Sequence, residues 1–161
     1  MSDPVFDLHP SGPRWTHIAL RVADIDATID FYTSMTPLVL IDRREDDAGY
    51  GAWLGMPEET NNPFILVVAQ FFAETDPFGG APQAVLAPFA HLGIEMPTRD
   101  DVDAIAHRAD EAGCLHMAPT QMPPPIGYIC MVTDPDGNLV EFSWDQGVWS
   151  TLRRRWDADG R

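Results

Sequence analysis

Trp15-Thr16-His17-Ile18-Ala19-Leu20-Arg21-Val22 and Phe89-Ala90-His91-Leu92-Gly93-Ile94-Glu95-Met96 decide the fold. Each alternates apolar residues with others, the two-residue period of a half-buried strand. Each also opens the same series of elements. After the first, Asp24 is placed to cap a helix whose apolar face is Ile25, Thr28, Ile29 and Tyr32. Three apolar segments follow, Pro37 to Asp42, Tyr50 to Gly55 and Phe64 to Phe71, separated by Arg43 to Ala48 and Met56 to Pro63. After the second, Thr98 and Asp101 resemble a capping box, Val102, Ile105, Ala106 and Ala109 form the apolar face, and Gly113 is a helix stop. Strands are then expected at Leu115 to Ala118, Gly127 to Val132 and Leu139 to Trp144, the last two joined by the turn Asp134-Pro135-Asp136-Gly137. Thr120 to Gly127, with Pro123-Pro124-Pro125, reads as a connector. The chain is therefore expected to be a single α+β domain over 1–161, built of two tandem βαβββ modules at 14–72 and 88–145. A linker at 73–87, rich in Pro, Gly and Ala, joins them.

The repeat makes the chemistry visible. His17 and His91 hold the same position in their modules, with 91 − 17 = 74. Carrying Glu141 back by 74 gives Val67, so Ile65-Leu66-Val67-Val68 overlays Leu139-Val140-Glu141-Phe142. Glu141 is a charge where the other copy has an ordinary apolar residue, and a buried carboxylate there needs a cation or a hydrogen-bond partner. A lone histidine in a strand is more often a satisfied core residue than a ligand. Two symmetry-equivalent histidines with one glutamate are a stronger pattern. Two imidazoles and a carboxylate make a facial set that leaves coordination positions open for substrate.

Composition narrows the partners. The chain has 161 residues, 10 basic and 25 acidic, for a net charge of −15. Such a charge repels nucleic-acid phosphates and anionic lipid. No segment approaches the roughly 20 apolar residues of a membrane span. Residues 1–14 lack the basic head and apolar core of a secretory signal, so the expected location is cytoplasmic. Cys114 and Cys130, with no CxxC, suit buried thiols better than a disulfide scaffold or a zinc knuckle.

The pieces Thr16-His17-Ile18-Ala19-Leu20, Ala90-His91-Leu92-Gly93-Ile94 and Thr133-Asp134-Pro135-Asp136-Gly137-Asn138-Leu139-Val140-Glu141-Phe142 resemble the vicinal oxygen chelate superfamily. That group includes glyoxalase I, methylmalonyl-CoA epimerase, extradiol dioxygenases, and fosfomycin and bleomycin resistance proteins. The resemblance spans about residues 14–145. It implies two βαβββ modules whose curved mixed sheets enclose one metal site. One divalent ion per chain (Fe, Mn, Zn, Ni or Co) would be held by His17, His91 and Glu141. It further implies a glyoxalase-like lyase or isomerase acting on a small substrate that chelates the metal through vicinal oxygens, with Glu141 also moving a proton. One alternative is an extradiol-type ring-cleaving dioxygenase. A second is a non-catalytic, drug-sequestering resistance protein, against which the metal triad argues.

No well-known branch matches in full. Glyoxalase I and the epimerase place Glu or Gln where this chain has Val67, and Gln70 has the wrong strand parity to replace it. Extradiol and fosfomycin enzymes place a tyrosine where this chain has Met131. The fosfomycin enzymes place a threonine at Ala19 and need cations, of which Leu115 to Val140 has none. Extradiol enzymes carry a histidine in the strand that here reads Phe64 to Phe71.

Arg21 and Glu95 share their strand faces with His17 and His91 and are expected to pair across the modules, with anion binding by Arg21 as the alternative. Trp15, Trp53 and Met131 are expected in the core, with pocket lining second. His9, His107 and His116 are not expected to be ligands. The tail Trp149 to Trp156, with Arg153-Arg154-Arg155, reads as a helix docking on acidic surface such as a second subunit, which leaves a homodimer open.

Overall fold

The computed structural model of the chain describes residues 13, 15–59, 63–81, 83–148, 150–152 and 154. The expectations for His9 and for Trp149, Arg153, Arg155 and Trp156 fall outside these residues.

The first module runs β1 (His17–Arg21), α1 (Ile25–Met35), β2 (Val39–Asp46), β3 (Gly49–Gly55) and β4 (Ile65–Phe71). The second runs β5 (Leu92–Glu95), α2 (Arg99–Glu111), β6 (Leu115–Gln121), β7 (Tyr128–Thr133) and β8 (Leu139–Trp144). Each module forms its own four-stranded mixed sheet, in the orders β1-β4-β3-β2 and β5-β8-β7-β6. β1 pairs parallel with β4, and β5 with β8, while the other neighbours are antiparallel. The offset of 74 holds at the level of strand register: Ala19 faces Val67 in the first sheet, and Gly93 faces Glu141 in the second. The element order and the α+β class agree with the sequence reading. The differences are in strand length: β2 continues through Arg43 and Arg44 to Asp46, β6 runs on to Gln121 into the stretch expected to be a connector, and β5 begins only at Leu92, just after His91. Asp47 and Ala48 make the tight turn into β3, with the Asp46 carboxylate accepting from the N–H of Ala48 and of Gly49.

Local chemistry places both helices. Asp24 accepts from the N–H of Asp26 and of Ala27, and the Gln70 side chain takes the N–H of Ile25. Gln70 thus caps α1 from β4, in keeping with its parity away from the open face. Thr98 and Asp101 form a reciprocal capping box on α2. α1 buries Ile25, Thr28, Ile29, Tyr32 and Met35, and α2 buries Val102, Ile105, Ala106 and Ala109. They pack with Leu20, Leu54, Leu66, Val68, Cys130, Val132, Val140 and Phe142. Burial of each large aliphatic side chain contributes about 1.5–3 kcal/mol before entropy costs. Each helix covers one face of its sheet. The opposite faces carry the half-buried or exposed residues His17, Ala19, Trp53 and Val67, and His91, Gly93 and Met131.

The two sheets do not share backbone hydrogen bonds; a polar clasp joins them. The loop between β7 and β8, read from sequence only as a turn, reaches back into the first module. Tyr32 Oη donates to the buried Asp134 carboxylate at 2.9 Å, and the Ala23 N–H donates to Asp136 at 2.8 Å. Asn138 takes the Leu86 N–H through its side-chain oxygen. Asp134 also accepts from the backbone N–H of Asp136 and Asn138 and from the Asn138 amide. Burial first, then the Asp134 carboxylate, holds the Tyr32 phenol protonated far above its ordinary range.

Arg21 does not pair with Glu95. It binds the Asp76 carboxylate at 2.6 Å and the Ala81 carbonyl, with its guanidinium over the Phe71 ring. The linker turn supplies a nearer carboxylate than the other sheet. The Asp76 carboxyl lies below its usual range, mainly because the Phe78 N–H donates to it, with the Gly80 N–H and Arg21 in support. A depressed carboxyl contributes stability above its unfolded value, here 3.8, that is lost as pH falls through the folded value. Asp76→Asn is therefore expected to destabilise the protein at pH 7, with the gap to wild type closing as pH falls below 3.8 and through the lower folded value. Denaturant unfolding at several pH values checks this; a gap independent of pH would contradict it.

Neither cysteine is in a disulfide. Burial, with help from Asp103 and Glu141, pushes the Cys130 thiol up to about 11, which leaves it unreactive. No helix among the described residues is long and apolar enough to cross a membrane.

Candidate metal centre

Glu141 sits in the middle of β8, flanked across the sheet by Gly93 on β5 and Met131 on β7. It is buried, 4% exposed, although its strand neighbours Val140 and Phe142 are wholly apolar and fully buried. Its Oε1 accepts from Gln146 Nε2 at 2.9 Å. Its Oε2 lies 3.7 Å from His91 Nε2. A Cβ added at Gly93 would meet nothing within 4 Å, so the strand opposite Glu141 leaves open space.

The orientation of His91 is informative. Its Nδ1 lies 2.7 Å from the Phe89 carbonyl oxygen, which can only accept, so Nδ1 carries the hydrogen. In the neutral ring Nε2 is then a bare lone pair aimed at a carboxylate oxygen. Two acceptors facing each other at 3.7 Å call for a proton or a cation between them. Metal–nitrogen and metal–oxygen bonds of about 2.1 Å span that gap in a bent arrangement. A backbone carbonyl on the far nitrogen is also how metal-binding histidines are commonly oriented. His91 and Glu141 fit a divalent ion.

His17 does not join them. It lies on the open face of the first sheet, exposed, with Nδ1 2.9 Å from Thr16 Oγ1. No group of three His, Cys, Asp or Glu side chains able to hold a metal forms among the described residues. The sequence symmetry makes His17 and His91 equivalent without placing them together, because β1 and β5 are edge strands of separate sheets and no ladder fixes their spacing. The two edges do border one apolar cavity, to which Ile18, Leu92, Ile94, Leu66 and Val140 contribute. Strand alternation turns His17 and His91 away from that cavity toward the open faces.

The other expectations divide. Trp15 and Trp53 are 85% and 40% exposed, so neither is core, and Met131 is half-buried beside Glu141. Trp53 and Met131 belong to the open faces of their sheets, opposite α1 and α2. His107 is exposed on α2 near Glu111, and His116 is exposed on β6. Gln146 was missed. It follows the last strand of the repeat, where the sequence shows only the start of a tail. Its signal is Asp145 in a left-handed conformation at φ 57°, which turns the chain back over the sheet and is visible only in structure.

The chain resembles known proteins over the same span. It is 38% identical to an uncharacterised Pseudomonas aeruginosa protein over 135 residues, 83% of this chain and 90% of that one. It is 28% identical to a probable lactoylglutathione lyase of Vibrio cholerae over 138 residues, 81% of this chain and 90% of that one. Among solved structures, glyoxalase I from Zea mays superposes with a TM-score of 0.63 at 26% identity, covering 80% of this chain. The chain spans 43% of the length of that maize enzyme. The profile of the glyoxalase, bleomycin resistance protein and dioxygenase superfamily matches residues 14–142. With two βαβββ modules and this extent of match, the chain belongs to that superfamily.

Proposed function

We propose that the protein is a divalent-metal-dependent lyase or isomerase acting on a small substrate that chelates the metal through two vicinal oxygens. The observation that supports this is His91 Nε2 lying 3.7 Å from the buried Glu141 carboxylate while its Nδ1 is held by the Phe89 carbonyl. His17 is the third ligand in this proposal, on the grounds of the repeat offset and its place on the open face. The metal, when bound, supplies a Lewis acid that stabilises negative charge on a substrate oxygen. Glu141 takes the proton from the carbon beside the substrate carbonyl. The C–H bond breaks, its electron pair forms the enediolate, and the proton returns from Glu141 to the former carbonyl carbon while the hydroxyl proton passes to the former carbonyl oxygen. Gly93 leaves room beside Glu141 for the substrate, and Met131 supplies an apolar wall.

Hydroxyacetone is a minimal probe of this class. Metal-loaded protein is expected to exchange its carbon-bound hydrogen with D₂O, followed by NMR, and Glu141→Gln to abolish the exchange. Exchange undiminished in Glu141→Gln would overturn the role of Glu141. Oxygen uptake with catechol, without exchange, would instead establish the dioxygenase. The glutathione–methylglyoxal hemithioacetal is expected to turn over below the usual enzyme range of roughly 10⁴–10⁸ M⁻¹s⁻¹. Its two carboxylates need cations, and Arg21 on the open face is already engaged by Asp76. A kcat/KM within that range would contradict the expectation.

A further inference from the structure

We propose that Gln146 is a positioning residue that restricts Glu141 to one metal-facing oxygen. This deepens the metal reading above and rests on it. After β8, Asp145 adopts φ 57° and Gly147 φ 77°, so the backbone doubles back over the open face of the second sheet. A non-glycine residue held in the left-handed region is costly and persists where surrounding contacts demand it. Here the demand is specific. The Gln146 N–H lies 3.3 Å from Glu95 Oε1, which anchors the backbone. The Gln146 side-chain oxygen accepts from Ser143 Oγ at 3.4 Å, and because the Glu141 carboxylate can only accept, it is the Nε2 end of the amide that faces it. Nε2 is then left to donate to Glu141 Oε1 at 2.9 Å. With Oε1 taken, Oε2 alone faces His91.

The first module is an internal control. Subtracting 74 carries Glu141, Ser143, Gln146 and Glu95 to Val67, Ala69, Phe72 and Arg21. None of the three β8-side groups has a polar counterpart, and Arg21 turns to the linker instead of to its own sheet. The network exists only where the carboxylate exists. Glu95 Oε2 is buried without a hydrogen-bond partner among the described residues, so Glu95 is held in place at a cost, which a purely solvent-facing turn would not sustain. A carboxylate bound through one oxygen also detaches more readily than a chelating one, as its use as a proton carrier requires.

The test is titration of tag-free protein with Co²⁺, read by visible absorption. Wild type is expected to give intense bands of low coordination number. Gln146→Leu keeps the bulk and loses the donor. It is expected to bind Co²⁺ about 10–100-fold more weakly. Its bands should also weaken as both Glu141 oxygens enter the coordination sphere and the coordination number rises. Ser143→Ala keeps Gln146 but frees its amide, and is expected to shift the spectrum in the same direction by less. It decides the matter if Gln146→Leu does not fold. Wild-type affinity and bands in both variants would overturn the role of Gln146 and leave the metal reading standing. Absence of Co²⁺ binding by wild type would overturn both.

Discussion

Asp134→Ala is expected to lower the free energy of unfolding by about 3–5 kcal/mol, because several buried donors lose the one carboxylate they share. Its carboxylate is 4% exposed and accepts from Tyr32 Oη, the Asn138 amide and two backbone N–H groups. Alanine leaves these donors buried without partners, each worth about 1–3 kcal/mol when desolvated and unpaired. In a protein of this size the melting temperature should fall by roughly 10 °C or more. Tyr32→Phe removes one of the four bonds and should cost far less, about 1 kcal/mol. Calorimetry of the two variants checks this. A loss below about 1 kcal/mol for Asp134→Ala would mean that the clasp does not hold the modules together.

The clasp also shows where sequence reading stops. Asp134-Pro135-Asp136-Gly137 is legible as a turn because Pro and Gly impose local backbone geometry. Its long-range role is not legible, since the partners Tyr32, Ala23 and Leu86 lie 52 to 113 residues from the groups that bind them and no local signal links them. The strands and helices were legible for the opposite reason. Apolar spacing of two or 3.6 residues, together with Asp24 and the Thr98–Asp101 box, expresses forces acting within a few residues. Arg21 was assigned the wrong carboxylate because the repeat offset says which positions are equivalent, and says nothing about a linker turn folded against one of them.

Val68→Glu is expected to prevent folding, while Val67→Glu should fold. The two residues are neighbours on β4, yet Val68 is fully buried beneath α1 and Val67 lies half-buried on the open face. A carboxylate at 68 would be sealed among apolar side chains with no cation in reach, at a cost of several kcal/mol, comparable to the whole stability of a domain. At 67 it can reach water. Since Val67 matches Glu141 by the offset of 74, Val67→Glu would add a carboxylate ligand to the proposed metal site, and added divalent metal should then raise its melting temperature. Val68→Glu should show no such rescue. Circular dichroism melts of both variants, with and without Zn²⁺, check this. Equal behaviour of the two would show that the strand register is wrong.

Of the candidate site, the sequence revealed the three residue types and their symmetry, because a charge or imidazole in an apolar strand stands out. It did not reveal spacing. His91 and Glu141 meet because β5 and β8 are ladder neighbours, with Gly93 opposite Glu141. His17 belongs to another sheet, and the distance between two edge strands is set by packing that no local pattern encodes.

The central proposal is that the protein binds a divalent ion through His91 and Glu141, with His17 from the other sheet as the third ligand. Calorimetric titration of tag-free protein with Co²⁺ tests it most directly. One ion per chain is expected, with the affinity reduced more than about 100-fold in His91→Ala and in Glu141→Ala, and reduced in His17→Ala as well. Folded His91→Ala and Glu141→Ala proteins that bind Co²⁺ as wild type does, or a wild-type protein that binds none, would contradict the account.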